Sequence, residues 1–204
     1  MQSATAYWRH RAETYGPGWA EHYWQSDTAP HRVALEAAVA SCAPFGSILE
    51  VGCACGPNLR RWRRQWPHTT LLGVDVSREM IRFGMDRFAG DPDVHLWVED
   101  YLTAPFLPMA DIITSCYALS YCDPAALPMV LDRCWKSTRK ALILAEPMAL
   151  DGLPVGPCKD DIEEWRHDYL MALTDLGARS FEVRPVNPPA DGTLNGILIA
   201  RKEP

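Results

Sequence analysis

Apolar residues fall into short continuous runs separated by stretches with helical spacing, and the two kinds of segment alternate along most of the chain. Ile48 to Val51, Thr70 to Asp75, Val94 to Val98, Asp111 to Cys116 and Ala141 to Ala145 read as buried strands. Between them, Pro57 suits the first turn of a helix, and Ser77 is placed to cap a second that runs to Ala89. A third is expected from Pro124 to Lys140, with Pro128 near its first turn. A fourth is expected from a cap at Asp160 or Asp161, through Trp165 and Tyr169, to Leu176, with Gly177 as its stop. Phe181 to Val186 and Leu194 to Arg201 then read as strands joined by the turn-rich residues 187 to 193, an antiparallel hairpin. The alternation predicts an α/β fold, a doubly wound, mostly parallel sheet whose last strand is reversed. No internal repeat or low-complexity linker interrupts it.

The first strand leads into Gly52-Cys53-Ala54-Cys55-Gly56, a loop of small residues that opens a helix. Such a loop lets a ligand approach the backbone closely, and the helix start offers unpaired NH groups. Asp75 ends the second strand at the sheet edge where open α/β sheets bind ligands, and a carboxylate there can accept both hydroxyls of a ribose. A nucleoside-containing ligand follows. The dinucleotide fingerprint needs Gly-x-Gly-x-x-Gly, whereas the small residues here fall at 52, 54 and 56 with an acid at Glu50. That acid would oppose a pyrophosphate and suits a ligand carrying an ammonium group. Cys53 and Cys55 lack the spacing and the second pair of a metal site, so no metal is expected.

Glu50-Val51-Gly52-Cys53-Ala54-Cys55-Gly56 resembles the first motif of the class I S-adenosylmethionine-dependent methyltransferases, acid-x-Gly-x-Gly-x-Gly, with Ala54 in place of the middle glycine. Leu72 to Ser77, Val98-Glu99-Asp100 and Asp111 to Ser115 extend the likeness over roughly residues 45 to 150. The alanine makes a left-handed backbone angle at 54 less favourable. The resemblance implies a seven-stranded sheet with the last strand inserted between the fifth and sixth, and S-adenosylmethionine as cofactor, leaving as S-adenosylhomocysteine. It also implies site roles. Gly52, Ala54 and Gly56 would line the methionine moiety, with Cys53 between them, and Glu50 would hold the loop or the amine. Asp75, with Val76 beside it, would bind the ribose and Met80 the adenine face. Asp100 and Tyr101 would meet the adenine amino group. Ser115 and Cys116 would lie near the sulfonium.

Composition adds constraints. At 204 residues and 48% apolar content the chain can bury a core without disulfides, and its seven cysteines, an odd number without a framework, point to a reducing, cytoplasmic setting. The first ten residues lack the apolar core of a signal peptide and no run approaches a membrane span, so a soluble protein is expected. The net charge of −6 disfavours a nucleic acid substrate. Arg60, Arg61, Arg63 and Arg64 read as the solvated side of an amphipathic helix. Residues 1–44, with Tyr7, Trp8, Tyr15, Trp19, Tyr23 and Trp24, read as a helical segment that either covers the substrate or packs on the sheet. Residues 45–204 read as the cofactor-binding catalytic domain, in a monomer or homodimer.

Methyl transfer asks mainly for alignment of the acceptor behind the methyl group and, for a protonated oxygen or nitrogen, a base. Glu146, at the end of the fifth strand, leads as base, with His10, His22, His31 and His167 after it. Tyr117 and Tyr121 are placed to orient the acceptor. The expected function is methyl transfer to O or N of a small metabolite, natural product or peptide side chain. The alternative is a non-catalytic binder of S-adenosylmethionine or S-adenosylhomocysteine.

Overall fold

The computed structural model describes residues 4–149, 156–159, 164–186 and 195–203. Two helices, α1 (Ala4–Gln25) and α2 (Pro30–Ala40), precede the sheet. The chain then alternates: β1 (Ser47–Val51), α3 (Pro57–Gln65), β2 (Thr70–Asp75), α4 (Arg78–Arg87), β3 (Val94–Val98), β4 (Ala110–Cys116), α5 (Leu127–Ser137) and β5 (Thr138–Pro147). A small antiparallel pair, β6 (Gly156–Lys159) and β7 (Glu164–Arg166), follows, then α6 (Tyr169–Asp175), β8 (Ser180–Pro185) and β9 (Asn195–Arg201).

Seven strands form one sheet in the order β3-β2-β1-β4-β5-β9-β8. β9 runs antiparallel to both of its neighbours, so the last strand sits between the fifth and sixth of the sheet, as the motif resemblance implies. Successive residues of the central strands point to opposite faces and both faces are buried. Leu49, Ile113, Leu142 and Leu198 pack towards α5 and α6, while Ile48, Ile112, Ile143 and Ile197 pack towards α2, α3 and α4. Unbroken apolar runs are the consequence. Burial of side chains on this scale, at about 25 cal/mol per Å² of apolar surface, is the main favourable contribution to folding.

Local chemistry sets the boundaries. Ser77 caps α4, its side chain accepting from the Met80 NH at 3.3 Å. The expected helix from Pro124 begins only at Leu127, because the Asp123 carboxylate accepts from the Ala125 NH at 2.7 Å and closes a separate turn first. It also ends early, since Thr138 to Lys140 already belong to β5. The expected helix through Trp165 is corrected more substantially. Trp165 lies in β7, and α6 starts at Tyr169 behind Asp168, whose carboxylate accepts from the Met171 NH at 2.8 Å. Trp165 and Tyr169, four apart, imitate a helical stripe. Asp160, Asp161 and the hairpin turn at 187 to 193 lie outside the described residues.

Helix α1 is broken at Gly16 (φ 62°, ψ −160°), a conformation open only to glycine, which splits it into two arms. The second arm is anchored. Ala20 and Trp24 pack with Cys55 and Met80, and the Trp24 ring meets Phe88 edge-on, 5.2 Å between centroids. The four arginines of α3, expected to be solvated, are instead paired within the protein. Arg60 and Arg64 meet the buried Asp27, Arg61 meets Glu36 at 2.8 Å, and Arg63 meets Asp91 at 2.8 Å. Arg60 and Arg64 tie α3 to the segment between α1 and α2, Arg61 ties it to α2, and Arg63 to the turn after α4.

Candidate functional site

At the carboxyl ends of β1, β2 and β4 the structure encloses a cavity of about 460 Å³, roofed by α1 and the start of α2. Its floor is the loop after β1. Gly52 (φ 73°), Ala54 (φ 50°) and Gly56 (φ 85°) all take left-handed angles. The expectation that Ala54 would avoid that conformation is therefore corrected. Its NH donates to the Asp75 Oδ2 at 2.8 Å, and this hydrogen bond offsets the roughly 1–2 kcal/mol that the angle costs a residue with a Cβ. Gly52 is needed for space as well. A Cβ there would lie 2.2 Å from the Ala118 Cβ, so only glycine lets the loop lie against the turn after β4.

Asp75 is half-buried in the wall. Its Oδ1 accepts from the Ser77 NH at 2.9 Å and its Oδ2 from Ala54, leaving lone pairs on both oxygens for the cavity. Burial raises its pKa and these NH groups oppose the rise. Glu50, which is buried, accepts from the Asn58 amide at 2.5 Å through Oε1, while Oε2 has no partner. Burial lifts its carboxyl to about 7, with Asn58 and the Arg32 charge opposing.

Of the positions singled out by the motif, Glu50, Gly52, Cys53 and Ala54 line the cavity on the β1 side. Asp75, Val76 and Met80 line it on the β2 side, and Tyr101, Cys116 and Tyr117 close it. The Tyr101 hydroxyl donates to the Ala118 carbonyl at 2.7 Å, joining the turns after β3 and β4. Burial raises the Cys55 and Cys116 thiols to about 12, so both stay protonated as packing groups. Among the described residues no group of three or more His, Cys, Asp or Glu is arranged to hold a metal.

Five expected residues lie elsewhere. Gly56 caps α3 behind the wall, where a Cβ would press on Phe88 at 3.0 Å. Asp100 faces α1, its Oδ2 accepting from the Thr5 hydroxyl at 3.1 Å, and only its neighbours Tyr101 and Leu102 reach the cavity. His10 is exposed on the first arm of α1. Ser115 and Glu146 form a buried clamp. Glu146 Oε1 accepts from the Ser115 hydroxyl at 2.7 Å and from the Ala118 and Leu119 NH groups at 3.1 Å, and Oε2 from the Ser120 NH at 3.2 Å. Burial raises Glu146 to about 7 against these donors. Its carboxylate is directed at the backbone of the turn after β4, not at the cavity, so the place expected for a base is taken by a structural group.

Arg32 was not anticipated. It lies on the buried stripe of α2 with Leu35 and Val39, lines the cavity, and makes no ion pair or side-chain hydrogen bond among the described residues; its Nε is buried without a partner. A charge on an otherwise apolar i, i+3, i+7 stripe is the sequence signal that marks it. A buried cation is costly unless an anion meets it. The unpartnered Glu50 oxygen and the Arg32 guanidinium thus offer a zwitterionic amino-acid end one acceptor and one donor, and Asp75 offers acceptors to a diol. These groups fit S-adenosylmethionine.

Comparison with known proteins agrees. Residues 48–141 match the family described as methyltransferase domain. The malonyl-[acyl-carrier protein] O-methyltransferase of Alcanivorax borkumensis is 27% identical over 52% of this chain and 36% of its own length. The ribosomal RNA small subunit methyltransferase A of a Synechococcus strain is 29% identical over 46% of this chain and 34% of its own. The chain thus spans about a third of the length of these curated relatives. The magnesium protoporphyrin IX methyltransferase of Synechocystis, solved with bound S-adenosylmethionine, superposes with a TM-score of 0.64 at 15% identity, over 88% of this chain and 84% of that one. Residues 48–141 thus match a methyltransferase domain, and the strand order around the loop after β1 gives the chain the fold of the solved methyltransferases it superposes on.

Proposed function

We propose that the chain transfers a methyl group from S-adenosylmethionine to an oxygen or nitrogen of a small metabolite, natural product or peptide side chain. One observation carries the cofactor half of this reading: Glu50 Oε2 and Arg32 Nε are buried without partners in the wall that also holds Asp75. When bound, the cofactor supplies an activated methyl on a sulfonium. The protein's part is positioning. Glu50 meets the ammonium, Arg32 the carboxylate and Asp75 the ribose diol, while Met80 and Leu102 provide apolar contact for the adenine.

The acceptor half is supported by enclosure and charge. The cavity lies beneath α1, a setting suited to a small molecule or a single side chain. The arginines of α3, the candidate basic face for a nucleic acid, are held in ion pairs by Asp27, Glu36 and Asp91. One relative acts by its name on ribosomal RNA, so likeness does not separate these acceptor classes and the charge argument supports the smaller one. No described helix is long and apolar enough to cross a membrane.

Calorimetry with S-adenosylmethionine, S-adenosylhomocysteine and NAD, followed by mass spectrometry for a one-methyl gain on an acceptor panel, tests the reading. Binding of both adenosyl compounds but not NAD, with methyl gain on a small acceptor, is the expected result. Binding without transfer to any acceptor supports the silent binder, and binding of NAD alone overturns the assignment.

A further inference from the structure

The cavity has a second half of different character. Its formally charged wall residues are Arg32, Glu50 and Asp75, all given above to the cofactor. The rest of the wall is built largely from rings. The Trp8 ring meets Tyr121 edge-on at 5.0 Å, bringing the first arm of α1 against the turn after β4. On the same turn Tyr117 meets the His31 ring edge-on at 5.3 Å, and Tyr23 from the second arm also lines the cavity. Tyr117 itself is held at φ 52°, an angle unfavourable for a large side chain, next to Cys116, where the sulfonium is expected. Its phenol, raised to about 12 by burial, stays protonated and can donate a hydrogen bond.

Two histidines line the cavity. His22 is exposed at its rim, stacked on Trp19 at 6.2 Å, whereas His31 is half-buried against Tyr117. The first turn of α2 therefore delivers adjacent residues to two tasks, Arg32 and His31. Burial first, and then the Arg32 charge, hold His31 near 4, so in the ligand-free protein its imidazole is neutral and only a weak base. A carboxylate bound to Arg32 would cancel part of that charge and make His31 a stronger base.

Resting on the methyltransferase reading above, we propose that the ring-lined half of the cavity binds a flat aromatic compound whose hydroxyl is its one ionisable group, and that His31 accepts the hydroxyl proton during transfer. The balance is simple. The O–H bond gives its proton to His31, the oxygen's electron pair bonds to the methyl carbon, and the carbon–sulfur bond breaks with its pair going to sulfur, leaving S-adenosylhomocysteine. Tyr117 orients the oxygen by donating a hydrogen bond, and the Trp8–Tyr121 pair forms one wall for the acceptor ring.

Phenol and 4-nitrophenol serve as acceptors in mildly alkaline buffer, where 4-nitrophenol is already ionised and phenol is not. His31→Gln is expected to lower kcat on phenol by about 100-fold or more, the usual size of general-base catalysis. It should change the rate on 4-nitrophenol and the affinity for S-adenosylhomocysteine only slightly. Added imidazole should restore phenol methylation in His31→Gly. Trp8→Ala should raise KM for both acceptors without altering S-adenosylhomocysteine affinity. Unchanged phenol turnover in His31→Gln, or equal losses on the two acceptors, overturns the role of His31. Wild-type protein that binds S-adenosylhomocysteine yet methylates neither compound overturns the acceptor class while the methyltransferase reading stands. Failure to bind S-adenosylhomocysteine at all overturns that reading itself.

Discussion

A single methyl group separates the loop after β1 from the acid-x-Gly-x-Gly-x-Gly pattern it resembles, and the structure shows how the loop tolerates it. Ala54 holds φ 50° because its NH must reach Asp75. Ala54→Gly removes the left-handed penalty of roughly 1–2 kcal/mol but adds about 0.4–1 kcal/mol of unfolded-state entropy, for a net stabilisation between zero and about 1.6 kcal/mol. A small rise in Tm with S-adenosylhomocysteine affinity retained is the expected result; a fall in Tm would mean the angle carries no strain. Asp75→Asn turns one acceptor oxygen into a donor facing an NH at Ala54 or Ser77, and weakens the diol contact. S-adenosylhomocysteine binding should loosen by roughly 1–3 kcal/mol by calorimetry, in a chain that still folds. Glycines and acids at a strand end are legible in sequence because few residue types satisfy such backbone and charge constraints. Arg32 was harder to read, since one charge on a stripe is a pattern only once the stripe is known to face a cavity.

Between elements, the turn after β4 is held by one carboxylate. Four donors converge on Glu146, so Glu146→Ala leaves a hydroxyl and three NH groups in a buried place, at about 1 kcal/mol or more each. A loss of roughly 4 kcal/mol in urea-unfolding stability is expected. Wild-type stability with abolished turnover would instead make Glu146 a catalytic group. The strand run at 141 to 145 correctly places Glu146 at the ligand edge of the sheet, but strand periodicity does not say whether its carboxylate meets a cavity or a folded-back turn. The same limit explains Trp165: a four-residue apolar spacing is compatible with a helix until the caps are known, and Asp168 is the cap. Gly16 divides α1 similarly. Its second arm is packed against Met80 and Cys55, whereas the first touches the sheet edge through Thr5 and Trp8. Deleting residues 1–15 should leave a folded chain with lower affinity for S-adenosylhomocysteine, and thermal unfolding with and without that ligand checks both halves. Loss of folding would show that the first arm belongs to the core.

Across the whole molecule, buried titratable groups oppose one another, and ligand binding should upset the balance. Glu50 and Glu146 are raised from 4.5 to about 7, so between these values the native state holds protons that the unfolded chain has released, and rising pH weakens folding. His31 and His167 are lowered from 6.5 to about 4, so between those values the unfolded chain holds the extra protons and rising pH strengthens folding. The windows overlap from 4.5 to 6.5, where two falling contributions meet two rising ones. These four groups should therefore leave the ligand-free protein with little pH dependence in that interval. An ammonium group against Glu50 favours its ionised form and lowers its pKa, removing one falling contribution. With saturating S-adenosylhomocysteine, stability should consequently rise with pH across the same interval, by less than the full Glu50 contribution because partial neutralisation of Arg32 raises His31, and binding should release net protons, seen as a heat that depends on buffer ionisation enthalpy. In Glu50→Gln, which has no proton to release there, the proton release should vanish or turn to the small uptake that a raised His31 brings. Parallel stability curves with and without ligand in the wild type would place the ammonium group away from Glu50, and with it the orientation of the whole amino-acid end.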